Sequence, residues 1–190
     1  MNHLYRIASC LLCALLIAAL AGCAITAPFV HLKPDYTDLP TDALRAVAEQ
    51  VESAVQRGDR EPEIADRDGV VISSQRVKQA IRMRAARAEI LNDFRDTGYA
   101  RENRNGLIKL LHSKEYRQNT TKRERDRYAM VVYNENRDRW AIYEGIIEAS
   151  NYASRVLPAV QETFFIARLN HLSEGHKYED ETGGLAVKDR

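Results

Sequence analysis

The stretch ENRDRWAIY (residues 135–143) lies in the middle of the longest helix that the sequence predicts. This helix begins at about Thr120 or Thr121, either of which can cap its first turn, and it continues to Ser150. Apolar residues recur at helical spacing on both sides of the stretch, but polar residues interrupt the apolar face within it. A polar break in an apolar face must either find partners or face water.

Three side chains of this stretch, those of Glu135, Asn136 and Arg139, fall on or beside the apolar face, because residues three or four apart are neighbours on a helix. We predict that they lock the loop 99–106 against the long helix. The guanidinium of Arg139 has five fixed donors and can hold the carboxylate of Glu102 in two places. In the alternative, the middle of the helix faces water and the three side chains are solvated.

The sequence predicts three shorter helices besides the long one, over residues 41–58, 73–97 and 158–175. Residues 107–111 form either a short strand or one turn of helix, and residues 176–188 are typical of a β-hairpin with two adjacent glycines at its turn. The expected fold class is therefore mainly α: a small helical domain of three to four helices with a short C-terminal β-hairpin.

The second of these helices carries four arginines at helical spacing: Arg76, Arg84, Arg87 and Arg95. The favoured interpretation is that they are solvated and paired with Glu89, Asp93 and Asp96, because residues three or four apart on a helix pair routinely. A surface for anionic lipid or for an acidic partner is the alternative.

The beginning of the chain is typical of an export signal rather than of a folded domain. A positive charge, an apolar run over residues 7–20 and two small residues precede Cys23. The sequence LAGC (residues 20–23) resembles the lipobox of bacterial lipoprotein precursors. This resemblance implies that a signal peptidase removes residues 1–22 and that Cys23 is lipidated. The alternative is an uncleaved membrane helix, but Pro28 and the absence of a positive flank after it argue against one.

Residues 23–40 contain three of the five prolines and no helical periodicity, so we expect a lipidated N-terminus followed by an extended tether. Two or three acyl chains on Cys23 would hold the protein at a membrane almost permanently. Residue 24 is Ala rather than Asp. By resemblance to the sorting rule of many Gram-negative lipoproteins, this implies a location in the cell envelope at the inner leaflet of the outer membrane, facing the periplasm.

Cysteine usage and charge exclude several classes of function. The three cysteines are Cys10, Cys13 and Cys23, so no free thiol remains for a disulfide framework, a zinc–thiolate site or a cysteine nucleophile once Cys23 is lipidated. The formal net charge of +1 does not support a generally nucleic-acid-binding surface. His171 and His176 are five residues apart, which is not a zinc-site spacing, and we expect both at the surface. We expect no metal, no cofactor and no nucleic acid.

Three segments in the second half of the chain carry a family resemblance: GYARENRNGLI (98–108), ENRDRWAIY (135–143) and the tail from GHKY to Lys188 (175–188). In this order they resemble the G-x-V-G-E-x-x-x-G-L-L stretch, the E-N-x-x-R-x-x-x-Y helix and the closing G-x-x-Y to lysine element of the YdbL-like family of bacterial envelope proteins, a domain of unknown function. Two positions depart from the pattern, because Arg101 stands where the family has glycine and Leu185 where it tends to have tryptophan.

The lock and the resemblance together single out a structural or partner-binding site of seven residues: Glu102, Asn103, Gly106, Glu135, Asn136, Arg139 and Tyr143. The resemblance also implies partners among envelope proteins, either an AsmA-like envelope-bridging protein or a small outer-membrane lipoprotein. Members of the family are usually secreted soluble proteins, so the lipid anchor is a difference.

Two classes of function follow. The first is a membrane-anchored periplasmic lipoprotein that acts as a non-catalytic binding or assembly accessory factor, which the resemblance connects with an envelope lipid-transport bridge. The second is a periplasmic hydrolase with paired carboxylates, such as Glu102 with Glu135. The absence of a free thiol, of G-x-S-x-G and of H-E-x-x-H argues against an enzyme. The expected organisation is a signal peptide (1–22), a lipidated tether (23–40), a short helix and loop (41–69) and the YdbL-like helical domain (70–188).

Overall fold

The computed structural model describes residues 33–189. Cys23, the predicted signal peptide and the first part of the expected tether lie outside the described residues. Residues 33–189 belong to one compact unit with its own apolar core. We therefore expect this part of the chain to fold without the residues before it.

Six α-helices and four short strands occur in the described part of the chain. The helices are α1 (Thr41–Gln56), α2 (Gln75–Ala85), α3 (Ala88–Asp96), α4 (Lys114–Asn119), α5 (Lys122–Ala149) and α6 (Leu157–Asn170). The strands are β1 (Ala100–Glu102), β2 (Ile108–Leu110), β3 (Lys177–Glu179) and β4 (Leu185–Val187).

Helix α5 is the long helix that the sequence predicts, and local chemistry fixes its start. The hydroxyl of Thr121 accepts a hydrogen bond from the backbone N–H of Glu124 at 3.2 Å, and the Glu124 carboxylate accepts one from the N–H of Thr121 at 2.7 Å. This reciprocal capping box satisfies two of the donors that a helix leaves free at its first turn.

The four strands form a single sheet in the order β2-β1-β3-β4. The hairpins β1–β2 and β3–β4 are antiparallel, and β1 pairs in parallel with β3, with Glu102 opposite Tyr178. The sheet therefore connects the 98–108 segment to the C-terminal tail, since the paired Glu102 and Tyr178 are 76 residues apart in the sequence.

The apolar core consists of two clusters. The larger one lies among α1, α2, α5 and α6, where α2 packs on α5 and α1 packs on α6. The smaller one joins α3, the sheet, α4 and the first half of α5 through Leu91, Phe94, Ala100, Ile108, Tyr116 and Val132. Helix α5 contributes to both clusters and is the common support of the fold.

The mainly α class is confirmed, but the expected number of helices is wrong. The single helix expected over 73–97 is two helices, α2 and α3, separated by Ala86 and Arg87. The N–H of Arg87 bonds to the carbonyl of Arg84 at 3.0 Å, which tightens the turn between them. Both halves keep helical spacing, so periodicity alone does not reveal the break. Helix α4 was also not expected, and the helix expected over 158–175 ends earlier, at Asn170.

The C-terminal hairpin is present, but it is not isolated. The segment 98–106, expected as a loop, contains β1, and residues 107–111 contain strand β2 rather than a turn of helix. Each of these strands has only three residues, too few for a clear alternation of apolar and polar side chains. Their pairing is a long-range property that local pattern cannot show.

The last part of the expected tether lies against the domain rather than extending away from it. Leu39 is buried in the larger apolar cluster, and the hydroxyl of Tyr36 donates to the Glu162 carboxylate at 2.9 Å. Arg155 pairs with Asp35 at 3.2 Å. Any free tether is therefore confined to residues before these contacts. Within residues 33–189, no helix is both long enough and apolar enough to cross a membrane.

Candidate functional site: a buried arginine–glutamate network

Seven charged side chains from six elements meet inside the domain. They are Glu52 of α1, Arg84 of α2, Arg95 of α3, Glu102 of β1, Glu135 and Arg139 of α5, and Arg168 of α6, and each is at most 8% exposed. We call this set the buried network. It contains four arginines and three glutamates, so its formal charge is +1. Buried charges require partners of opposite charge, and in this network arginines and glutamates pair with one another.

Arg139 lies at the centre of the network and is fully buried. Its guanidinium donates to both carboxylate oxygens of Glu102, at 2.6 and 3.0 Å, and its Nε donates to Glu135 at 2.8 Å. It also donates to the carbonyl of Gly106 at 3.2 Å. The bidentate contact expected between Arg139 and Glu102 is therefore present, and it joins α5 to the segment 99–106.

A second centre is Glu52, which the sequence analysis did not single out. Its carboxylate accepts from Arg84 at 3.0 and 2.7 Å and from Arg168 at 2.8 Å. Arg84 also donates to Glu135 at 2.9 Å, and Arg168 donates to Glu102 at 3.2 Å. These bridging arginines join the two centres into one network that ties α1, α2, α5, α6 and β1 together.

The turn that follows β1 is held by side chains of two helices, α5 and α6. The hydroxyl of Tyr143 donates to the carbonyl of Gly106 at 2.7 Å, and Arg168 donates to that carbonyl at 2.8 Å. Gly106 has a φ of +79°, and a Cβ there would lie 3.0 Å from the Tyr143 hydroxyl, so a side chain is excluded by both backbone conformation and space. Asn103 holds the turn through its backbone, since its N–H donates to the carbonyl of Leu107 at 2.8 Å.

Asn136 has a different role from its neighbours in the predicted lock. Its side chain accepts from the N–H of Ile108 and donates to the Ile108 carbonyl, both at 2.9 Å. It therefore fastens strand β2, and not the 99–106 segment, to α5. Its contacts are to backbone groups that the sheet leaves free at β2.

The glutamates of the network are held in the charged form. Burial by itself raises the pKa of Glu102, but the facing arginines, Arg139 first and then Arg95 and Arg168, outweigh it and hold that pKa well below its usual range. Burial likewise opposes the charge on Glu52 and Glu135, and Arg84 is the main group that lowers the pKa of each. Each carboxylate is thus an acceptor of several charge-assisted hydrogen bonds rather than a group that exchanges protons near neutral pH.

The favoured interpretation of the four arginines as solvated is wrong for Arg84 and Arg95, which are buried and pair with distant glutamates. Arg87 is also largely covered, because it donates to Asp138 and to the backbone of Asn134. Only Arg76 remains about half exposed, where it pairs with Glu144 and Glu148.

A sequence feature could have identified the missed members. Arg84 follows the buried Ile81 by three residues, Glu52 follows the buried Ala48 by four, and Arg168 follows the buried Phe164 by four. Each therefore lies on an apolar helix face, where a charged side chain is unusual. A charge on an apolar face predicts a buried ion pair, provided that a partner of opposite charge is found on another element.

The prediction that both histidines lie at the surface is wrong for His176, which is 3% exposed. Its Nε2 bonds to Asp96 at 2.6 Å, and its Nδ1 accepts from the N–H of Ser173 at 3.2 Å. His171 is partly exposed and contacts Glu49 at 2.8 Å. Among the described residues, no group of three or more potential ligands is arranged to hold a metal ion.

Little space adjoins the network. A gap lined in part by Arg84, Arg95 and Arg168 has a volume of about 20 Å³, which is room for about one water molecule. A much larger but shallow depression of about 540 Å³ lies on the outer surface of α5, beside Tyr133, Arg137 and Trp140. The buried network is thus sealed, and the accessible features of this domain are on its surface.

One accessible feature is the outer edge of the sheet. Strand β4 is an edge strand among the described residues, and its Leu185 and Val187 side chains are 51% and 48% exposed. The N–H of Asp180 bonds to the carbonyl of Gly184 at 3.0 Å, and hydrogen-bonded and non-bonded pairs alternate along an antiparallel ladder. The backbone groups of Leu185 and Val187 therefore point away from β3 and are free to pair with another strand.

No protein-family model, no curated protein and no solved structure matches this chain.

Proposed function

We propose that the protein is a lipid-anchored lipoprotein of the bacterial cell envelope that acts as a non-catalytic binding or assembly factor in the periplasm. The observation that carries this proposal is the apolar run that ends in Leu20-Ala21-Gly22-Cys23. A lipid on Cys23 fixes the protein at a membrane. The folded domain then provides the surface that partners contact.

The buried network supports a structural role for the residues that a paired-carboxylate hydrolase would require. Such an enzyme needs one carboxyl group with a raised pKa as its general acid, and room for substrate beside it. Glu102 and Glu135 have lowered pKa values and each is bonded to at least two arginines. Both carboxylates are at most 1% exposed, so neither is placed to reach a substrate.

We propose the edge of β4 as the surface that a partner protein contacts. Exposed apolar side chains on a strand with free backbone groups favour the addition of an extended strand from another protein. The occupant that fits is therefore a β-strand with apolar side chains at alternate positions. By the resemblance described above, an AsmA-like bridge or a small outer-membrane lipoprotein is the expected source of that strand.

The anchor is tested by replacing Cys23 with Ala and labelling cells with radioactive palmitate. We expect the natural chain to be labelled and shortened, and the Cys23→Ala chain to be unlabelled and uncleaved. A Cys23→Ala chain that is still cut before residue 23 and acylated would show that the proposed anchor is wrong.

The partner surface is tested by photo-crosslinking in cells. A photoreactive amino acid is placed at Val187, and the crosslinked product is identified by mass spectrometry. We expect an envelope protein, and we expect the product to be lost when Leu185→Lys is added, because a charge on an edge strand opposes pairing. The same amino acid at the exposed Ala65 serves as the control position. Capture of the same product from Ala65, or no effect of Leu185→Lys, would contradict the proposal.

A further inference from the structure

The outer surface of α5 carries aromatic and cationic side chains that other described elements leave exposed. We call the following residues the basic–aromatic face: Arg123, Arg127, Met130, Tyr133, Arg137 and Trp140. Successive members are three or four residues apart, so they lie on one side of the helix. At about 1.5 Å per residue, the face is roughly 25 Å long.

Five members of this face are exposed, and Trp140 is partly exposed. Met130 and Tyr133 are 58% and 64% exposed, and the side chain of Arg137 is 56% exposed. Arg123 and Arg127 are exposed and have no side-chain partner among residues 33–189. The free cations and the apolar side chains thus occur together on the same surface, although neither is needed by the core.

The charge around the beginning of this face is strongly asymmetric. Residues 109–127 contain seven lysines and arginines against three acidic residues, a net charge of +4, whereas the whole chain carries +1. The rest of the chain therefore carries a net charge of −3. This segment contains the end of β2, α4 and the start of α5, where residues 122–124 are exposed. An anionic surface would be attracted to this end of the domain and repelled elsewhere.

We propose that the basic–aromatic face binds the anionic surface of a phospholipid membrane. Lysine and arginine side chains pair with lipid phosphates, while tryptophan and tyrosine are favoured at the boundary between headgroups and acyl chains. The face is long, and the depression that its Tyr133, Arg137 and Trp140 border is shallow, so the face suits an extended surface better than a compact ligand. This proposal rests on the lipid anchor proposed above, because a tethered domain remains close to the membrane and a weak contact is then sufficient.

An acidic protein is the competing occupant, since it would also satisfy the free arginines. A protein partner of this kind needs acidic groups matched to particular arginines, whereas a membrane presents phosphates at every position along the helix. Arg137 borders the shallow depression, but Arg123 and Arg127 lie outside it, so no single pocket gathers the three cations. This arrangement favours the membrane.

The test uses a chain that begins at residue 24, which contains the whole described domain but cannot be acylated. Its binding is measured by co-sedimentation with vesicles of phosphatidylglycerol and phosphatidylethanolamine, and with vesicles of phosphatidylcholine. We expect binding only to the anionic vesicles, and we expect it to weaken as salt is added. Each cation near an anionic surface strengthens binding by about fivefold, so Arg123→Gln/Arg127→Gln should weaken it about 25-fold.

The matched control is Arg60→Gln/Arg67→Gln, which removes the same charge from two exposed arginines in the acidic loop 58–69. It should change vesicle binding by less than about threefold. Equal losses in the two double variants, or no binding to anionic vesicles, would overturn the proposal. Binding to immobilised poly-glutamate without binding to vesicles would also overturn it, in favour of an acidic protein. Because the chain tested has no lipid, failure here leaves the labelling test of Cys23 unaffected.

Discussion

Replacing Arg139 with Ala is the most direct test of the buried network. The change removes four hydrogen bonds: two to Glu102, one to Glu135 and one to the carbonyl of Gly106. All of these groups are buried, so water cannot easily replace the guanidinium. We expect a folded but clearly less stable protein.

The size of the stability loss depends on the arginine partners that Glu102 and Glu135 still have in the Arg139→Ala variant. Breaking a buried ion pair by removing one partner costs about 3–5 kcal/mol. Glu102 still has Arg95 at 2.6 Å and Arg168 at 3.2 Å, and Glu135 still has Arg84 at 2.9 Å, so neither is left alone. The formal charge of the network also falls from +1 to zero. We therefore expect the lower end of the range, about 3 kcal/mol, and a fall in Tm of about 6–12 °C.

Glu102→Ala should be more destabilising than Arg139→Ala. It leaves Arg95, Arg139 and Arg168 facing one another around the vacated carboxylate and raises the formal charge of the network from +1 to +2. We expect a loss of at least about 4 kcal/mol. The double variant Arg139→Ala/Glu102→Ala removes both members of the ion pair, so neither is left without the other. Its loss of stability should therefore be smaller than the sum of the two single losses by about 1–3 kcal/mol.

The assay is urea unfolding of the three variants, followed by circular dichroism, with Arg45→Ala as the control. Arg45 pairs with Asp42 at 3.4 Å, but the two side chains are 70% and 96% exposed. Exposed pairs contribute between zero and about 1 kcal/mol. Additive losses below about 1 kcal/mol for Arg139→Ala and Glu102→Ala would refute the view that the network is a sealed and mutually dependent set of charges.

Two further predictions concern acid stability and the turn after β1. The pKa values of Glu52 and Glu102 are lowered in the folded protein. Their contribution to stability is therefore complete above the pKa of the unfolded chain, about 4.3, and is lost as the pH falls below that value. Urea midpoints should drop between pH 5 and pH 3, and a flat profile would contradict this. Gly106→Ala should lower stability by about 2–4 kcal/mol, because it adds backbone strain at positive φ and crowds Tyr143. The control Gly175→Ala, with a φ of +87° and nothing within 4 Å, should show in thermal melts only the backbone strain, about 1 kcal/mol. Equal losses at the two glycines would show that the crowding at Gly106 is relieved without cost.

The contact between Arg139 and Glu102 was predictable from the sequence for a specific reason. Asn136 and Arg139 share a face of α5 with apolar residues before and after them, so their polar groups had to find partners, and the glycine-bounded segment 98–106 offered a carboxylate. Arg139 and Glu135 are also four residues apart on one helix, and they bond at 2.8 Å. These are local arguments that need only the helical repeat.

The rest of the network was not predictable in this way. Arg95 has acidic neighbours on its own helix, and local pairing rules assign it to them and to solvent. Arg84 has no acidic residue on α2, so no local rule names a partner for it. Their partners in the structure, Glu52 and Glu102, lie on other elements, 32 and 7 residues away. Whether a charged side chain is buried with a distant partner or exposed beside a near one depends on how the helices cross.

The sequence by itself determined the helical class and the bounds of α5. It also predicts a lipid anchor at Cys23, which remains a hypothesis. Each depends on a short-range rule: helical periodicity, a capping box, and an apolar run that ends in small residues. Only the tertiary structure decided that β1 pairs with β3, 76 residues further along the chain, and that seven charges close into one network. The physical reason is that three-residue strands and buried ion pairs are stabilised by partners from elsewhere in the chain, and the local sequence carries no record of those partners.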